Sequence, residues 1–108
     1  MLDIRKEYLD ELRSIFRGYC PKAEIWAYGS RIKNNSHSGS DLDLAVKNLN
    51  DEKKSVTELR RILNDSDIPF LIEIQEFAKL PKSYQDEIMK DYIQIFPIQE
   101  NINGEDGL

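Results

Sequence analysis

The stretch that decides the fold reads Ile-Trp-Ala-Tyr-Gly-Ser-Arg over residues 25–31 and, after a polar connection, Asp-Leu-Asp-Leu-Ala-Val over residues 41–46. The pattern predicts a strand, a Gly29-Ser30 turn and a second strand that carries two carboxylates. Because side chains two residues apart on a strand point to one face, Asp41 and Asp43 project together. Such a pair suits Mg²⁺, which is commonly held by one or two carboxylates and substrate phosphates. The turn offers unhindered backbone N–H groups to a phosphate, so metal and phosphate are expected side by side.

The spacing of these residues carries a resemblance. Gly29-Ser30, ten residues and Asp41-x-Asp43 resemble the signature of the nucleotidyltransferase superfamily that includes DNA polymerase beta. The motif Gly-Ser-Arg…Gly-Ser-Asp-Leu-Asp-Leu is most similar to the minimal nucleotidyltransferases of that superfamily, and the resemblance extends over about residues 20–96. The resemblance implies a polymerase beta-like fold and transfer of a nucleotidyl group, most often AMP from ATP, with one or two Mg²⁺ ions. It also implies an antitoxin role with an all-helical HEPN toxin as partner.

A third acid is expected on the strand predicted over residues 69–77. Leu71, Glu73 and Gln75 share one face of that strand, and Glu76 has the opposite parity unless a bulge intervenes. A carboxylate between Ile72 and Ile74 is costly unless a cation compensates it. The superfamily generally has aspartate at this point, and Glu73 is one methylene longer. Glu73 is therefore a candidate metal ligand or catalytic base, and the alternative is a solvated acid at a strand edge.

The resemblance and the neighbouring residues define the rest of the candidate site. The candidate nucleotide-binding residues are Gly29, Ser30, Arg31 and Ser40. For Arg31, which adjoins the turn, contact with a phosphate is favoured over ordinary surface charge. For Lys33, contact with a phosphate and ordinary surface charge are equal alternatives, and for the lone His37 a solvated loop residue is favoured over a catalytic base. For Trp26, core packing is favoured over stacking on a nucleobase.

Apolar periodicity supplies the remaining elements. Helices are predicted over residues 3–17, with Gly18 as the terminator, from after a turn at residues 48–51 to about residue 64, and over about 82–91. A short edge strand is predicted over residues 92–96. The expected fold class is α/β, a small mixed sheet with helices packed on one face and the acids on the other. Residues 1–98 form the domain, and residues 99–108 have too little apolar content to pack and are predicted to be a mobile tail.

Composition excludes several classes of function. The chain has 108 residues, a net charge of −5 and one cysteine, Cys20. Since proteins bind nucleic acid polymers largely through Lys and Arg, this balance argues against a template-directed polymerase. No apolar run reaches the ~20 residues of a membrane span, and no signal peptide is apparent, so a cytoplasmic protein is expected.

Three functions remain open at this point. The chain could adenylylate a hydroxyl of a partner protein, neutralise that partner by contact with little catalysis, or serve as the catalytic subunit of a small-molecule adenylyltransferase. The apolar residues near the C-terminal end also suggest an interface with a partner or a second copy, with completion of the core as the equal alternative: Tyr92, Ile93, Ile95, Phe96 and Ile98.

Overall fold

A computed structural model describes residues 2–32, 41–49 and 53–98. Over these residues the helices are α1 (Lys6–Tyr19), α2 (Val56–Asn64) and α3 (Lys82–Lys90), and the strands are β1 (Glu24–Tyr28), β2 (Leu42–Lys47), β3 (Ile72–Glu76) and β4 (Ile93–Phe96). Short 3₁₀ helices lie at Ser30–Ile32 and Phe77–Lys79. The predicted tail, residues 99–108, lies outside the described residues.

The four strands form one sheet in the order β3-β2-β1-β4. β1 runs antiparallel to both β2 and β4, whereas β2 and β3 are parallel. The parallel pair requires a crossover, which α2 provides. The α/β class, the mixed sheet and the edge strand are therefore confirmed.

The main core lies between one face of the sheet and the helices α1 and α2. Ser55 caps α2, because its hydroxyl accepts a hydrogen bond from the Glu58 backbone N–H at 3.2 Å. The apolar stripes of both helices and alternate strand residues form one buried cluster, which includes Leu12, Phe16, Leu59, Leu63, Ile25, Ala27, Leu44 and Ile74.

The third helix lies on the opposite face of the sheet, which differs from the expectation that the helices share one face. Ile88 of α3 belongs to a second buried cluster with Trp26, Ala45, Phe77 and Leu80. The periodicity of α3 shows that it is amphipathic but not which face of the sheet it covers. Apolar surface on the acid-bearing face, contributed chiefly by Trp26, decides the placement.

Trp26 is a core residue, as the preferred interpretation states. Its side chain is 4% exposed, and its ring stacks on Tyr92 at a centroid distance of 4.0 Å. Phe77 packs edge-on at 5.3 Å, and Lys47 Nζ lies 4.4 Å from the centre of the indole ring. The indole ring is therefore packed against other side chains of the protein.

Two boundaries illustrate how local rules compete. α1 continues through Gly18 to Tyr19, so the predicted terminator is wrong. Pro21 instead disfavours helical backbone at Cys20, whose φ of −141° and ψ of 66° end the helix. At the other end of the chain, Ile95 and Phe96 are buried, and completion of the core accounts for them.

Arginine side chains satisfy carbonyl groups on both outer strands. On β4, Ile95 is the additional residue where the register shifts, and its carbonyl accepts a hydrogen bond from Arg13 Nε at 2.7 Å. On β3, the Ile74 carbonyl accepts one from Arg60 at 2.8 Å. Such side chains help to protect sheet edges from pairing with other chains.

Candidate active site

The Gly29-Ser30 turn and the acidic strand lie against each other. Tyr28 is the register partner of Asp43 across the antiparallel pair β1 and β2. Gly29 follows with a φ of +86°, and its carbonyl accepts a hydrogen bond from the Ile32 backbone N–H at 3.2 Å as the 3₁₀ helix begins. A Cβ atom at Gly29 would lie 2.6 Å from Asp43 Oδ2. The turn thus needs glycine for its backbone conformation and for the close approach of the Asp43 carboxylate.

Asp43 and Glu73 occupy the same level of two neighbouring parallel strands. They are register partners on β2 and β3. Leu44 and Ile74, which follow them, are buried in the main core, so both acids project from the other face. Glu76 has the opposite parity and forms an ion pair with Lys79 at 2.9 Å. The parity argument that prefers Glu73 to Glu76 agrees with this arrangement.

Negative charge is concentrated at the Asp43 carboxyl. Its pKa is raised above the ordinary 3.8, first by burial and then by the charges of Asp41 and Glu73. The pKa of Tyr28 is also raised, by burial and then by Asp43 and Glu73. Four groups from three neighbouring segments therefore share one electrostatic environment.

These acids have the donor chemistry of a divalent cation site. Over residues 2–32, 41–49 and 53–98, no three His, Cys, Asp or Glu side chains converge as a group that could hold a metal ion. Asp43 and Glu73 do share a face and a register, and carboxylate oxygens are the ligands Mg²⁺ prefers. The raised pKa of Asp43 shows that its charge would gain from a cation. The chemistry and the strand positions of Asp43 and Glu73 thus suit the ion, although the side chains do not converge on one point in this structure.

Arg31 is engaged within the protein. Only 8% of the residue is exposed, and its guanidinium donates to the Asp3 carbonyl at 3.0 Å and lies 4.2 Å from the centre of the Phe70 ring. These contacts fasten the turn to the N-terminal segment. They support a structural role, and its contact with a phosphate stays a prediction.

Three other residues considered from the sequence, Lys33, His37 and Ser40, lie outside the described residues. A feature that the sequence did not indicate lies beside the turn: a cleft of about 260 Å³ between β1 and α3, lined by Tyr28, Gly29, Tyr84, Glu87, Ile88 and Asp91. Tyr84 and Glu87 are one helical turn apart, but this spacing does not reveal that α3 faces the acids.

Comparisons with known proteins agree with this geometry. Residues 10–101 match the family model described as "Polymerase beta, Nucleotidyltransferase". The chain is also 30% identical over 97 residues to the "Probable protein adenylyltransferase MntA" of Haemophilus influenzae, covering 87% of this chain and 83% of that protein. None of the helices in the described part of the chain is long and apolar enough to cross a membrane.

Proposed function

The chain belongs to the polymerase beta nucleotidyltransferase family, a family of enzymes, and we propose that it transfers AMP from ATP to a hydroxyl of a partner protein. One observation carries the proposal. Asp43 and Glu73 lie in register on neighbouring strands, and the Asp43 carboxylate rests against Gly29. Two acids that we propose for a cation therefore lie beside the turn that we propose for a phosphate.

Each residue has a defined task in the transfer. Gly29 and Ser30 present backbone N–H groups to the β- and γ-phosphates. Asp41, Asp43 and Glu73 would hold Mg²⁺, which would supply positive charge to offset the negative charge of the triphosphate. The acceptor oxygen bonds to the α-phosphorus, the bond from that phosphorus to pyrophosphate breaks, and Glu73 accepts the hydroxyl proton.

A protein is the acceptor that best fits this surface. Asp41 and Glu73 are exposed, which leaves room for a hydroxyl carried on another chain. The relative from Haemophilus influenzae carries the name of a protein adenylyltransferase. Together with the resemblance, these points favour a tyrosine of an all-helical HEPN toxin as acceptor, with this chain acting as a cytoplasmic antitoxin.

Mass spectrometry of the partner tests the proposal. If the neighbouring gene encodes a short all-helical protein, that protein is the candidate partner; it is incubated with the chain, ATP and Mg²⁺, and its peptides are then mapped. We expect one or more AMP units on a partner hydroxyl and none when Mg²⁺ is omitted. A partner that is neutralised but unmodified would instead show a binding module, and AMP on a small alcohol without the partner would show a small-molecule enzyme.

A further inference from the structure

The cleft between β1 and α3 shares Gly29 with the proposed phosphate turn. Its walls are Tyr28 and Gly29 on one side and Tyr84, Glu87, Ile88 and Asp91 on the other. A molecule whose phosphates rest on the Gly29-Ser30 turn can therefore place its remaining part in this cleft. The volume, about 260 Å³, lies just below the ~300–1,000 Å³ typical of ligand pockets, which suits a nucleoside rather than a whole triphosphate.

The walls of the cleft are suited to a flat, uncharged ring. Tyr84 is 61% exposed, so its ring is available for stacking, and Ile88 adds an apolar surface. The lining contains two carboxylates, Glu87 and Asp91, and no Lys or Arg. Phosphate is disfavoured beside these acids, whereas amino and hydroxyl groups can donate hydrogen bonds to them.

We propose that this cleft seats the nucleoside of the incoming triphosphate, with Tyr84 stacked on the base and Glu87 and Asp91 accepting hydrogen bonds from its amino and hydroxyl groups. The proposal rests on the proposed function and adds the basis of nucleotide choice. Carboxylates accept from the exocyclic amine of adenine but repel the carbonyl oxygens of uracil. The cleft therefore selects a base with an exocyclic amino group, and ATP over UTP.

The ion pair of Glu87 does not prevent this role. Its partner, Lys90 Nζ, lies 2.9 Å away, and both side chains are 70% exposed. Exposed pairs of this kind are weak, because water screens the charges and both side chains lose conformational freedom.

Calorimetric binding with three probes tests the stacking role. The probes are ATP, UTP and inorganic tripolyphosphate, each with Mg²⁺, and the variants are Tyr84→Ala and the control Met89→Ala. Met89 is on the same helix, is 57% exposed and does not line the cleft. Since stacking of a base on an aromatic ring contributes ~1–3 kcal/mol, Tyr84→Ala should weaken ATP binding about 5- to 150-fold. Tripolyphosphate binding should not change, and Met89→Ala should leave all three probes unaffected.

A second pair of variants tests base selection. Glu87→Ala should reduce the preference for ATP over UTP by about fivefold or more. Asp86→Ala should keep that preference, because Asp86 bonds Lys82 at 2.9 Å and does not line the cleft. Equal binding of ATP and UTP by the unmodified chain would overturn the selection.

The outcomes separate this inference from the proposed function. If Tyr84→Ala leaves the affinity for ATP unchanged in a chain that still transfers AMP, the cleft assignment alone is overturned. ATP binding that depends on Tyr84, without any transfer, would support the cleft and contradict the proposed function. A chain that binds neither ATP nor tripolyphosphate would contradict both.

Discussion

Replacing Gly29 with alanine should damage catalysis more than it damages stability. The new methyl group would lie 2.6 Å from Asp43 Oδ2, with Asp43 Cγ at 3.5 Å and Cβ at 3.6 Å. Rotation of the Asp43 carboxylate can relieve the shortest of these contacts. The same rotation removes the oxygen from the turn, where the account places the metal and the phosphate.

The backbone sets the expected loss of stability. Gly29 has a φ of +86°, and positive φ costs a residue with a side chain roughly 1–2 kcal/mol. Alanine also restricts the unfolded chain, which returns ~0.4–1 kcal/mol. With the crowding at Asp43 added, we expect a net loss of about 1–2 kcal/mol. In a domain of this size that corresponds to a Tm lower by roughly 4–10 °C. Transfer should fall by about 100-fold or more, since even a ~1 Å misplacement can cost that much.

Gly18 provides the matched control. It lies within α1, and a Cβ there meets nothing within 4 Å. Gly18→Ala should therefore stabilise the chain by ~0.5–1 kcal/mol and leave transfer unchanged. Thermal unfolding and transfer assays on both variants measure these effects. A Gly29→Ala protein with the wild-type Tm and transfer rate would refute the close approach of the turn and Asp43.

Three further predictions concern other residues. Glu73→Gln should reduce transfer far more than Glu76→Gln, and Glu73→Asp should retain or raise it; equal, small losses in a transfer assay would remove Glu73 from the site. Asp43→Asn should raise the Tm at pH 7 without divalent cations. Folding raises the pKa of the Asp43 carboxyl, so the folded protein loses stability as the pH rises through that pKa and the group ionises. The gain should shrink as the pH falls toward the ordinary 3.8, and a gain that does not change with pH in thermal scans would contradict the charge crowding. Arg13→Ala should cost about 1–3 kcal/mol in urea unfolding, because the Ile95 carbonyl loses its charged donor, and an unchanged midpoint would show that water replaces it.

The acid-bearing face was predictable because strand parity is a strict rule. Leu42 and Leu44 are apolar and Asp41 and Asp43 are acidic, so the alternation assigns both faces without knowledge of the partner strand. The assignment of Glu73 follows from the same rule. The register of Glu73 with Asp43 could not be predicted in this way, because register depends on the crossover through α2.

Tertiary contacts decided what the sequence left open. Apolar spacing in α3 is satisfied equally by either face of the sheet, and the packing of Ile88 in a cluster with Trp26, Ala45, Phe77 and Leu80 places α3 on the acid-bearing face. The cleft between β1 and α3 depends on that placement and could not be predicted without it. Arg31 adjoins the Gly29-Ser30 turn in sequence, which suggested contact with a phosphate. Its contacts with Asp3 and Phe70 join distant parts of the chain, so the sequence did not indicate them.

Label transfer by the Asp43→Asn protein tests the central claim most directly. The wild-type chain, Asp43→Asn and the control Glu76→Gln are each incubated with the partner, Mg²⁺ and ATP labelled at either the α- or the γ-phosphate. The account predicts that wild type and Glu76→Gln transfer the α-label and release the γ-label as pyrophosphate, while Asp43→Asn transfers neither and remains folded by circular dichroism. Transfer of the γ-label, or a wild-type rate in Asp43→Asn, would contradict nucleotidyl transfer at this face.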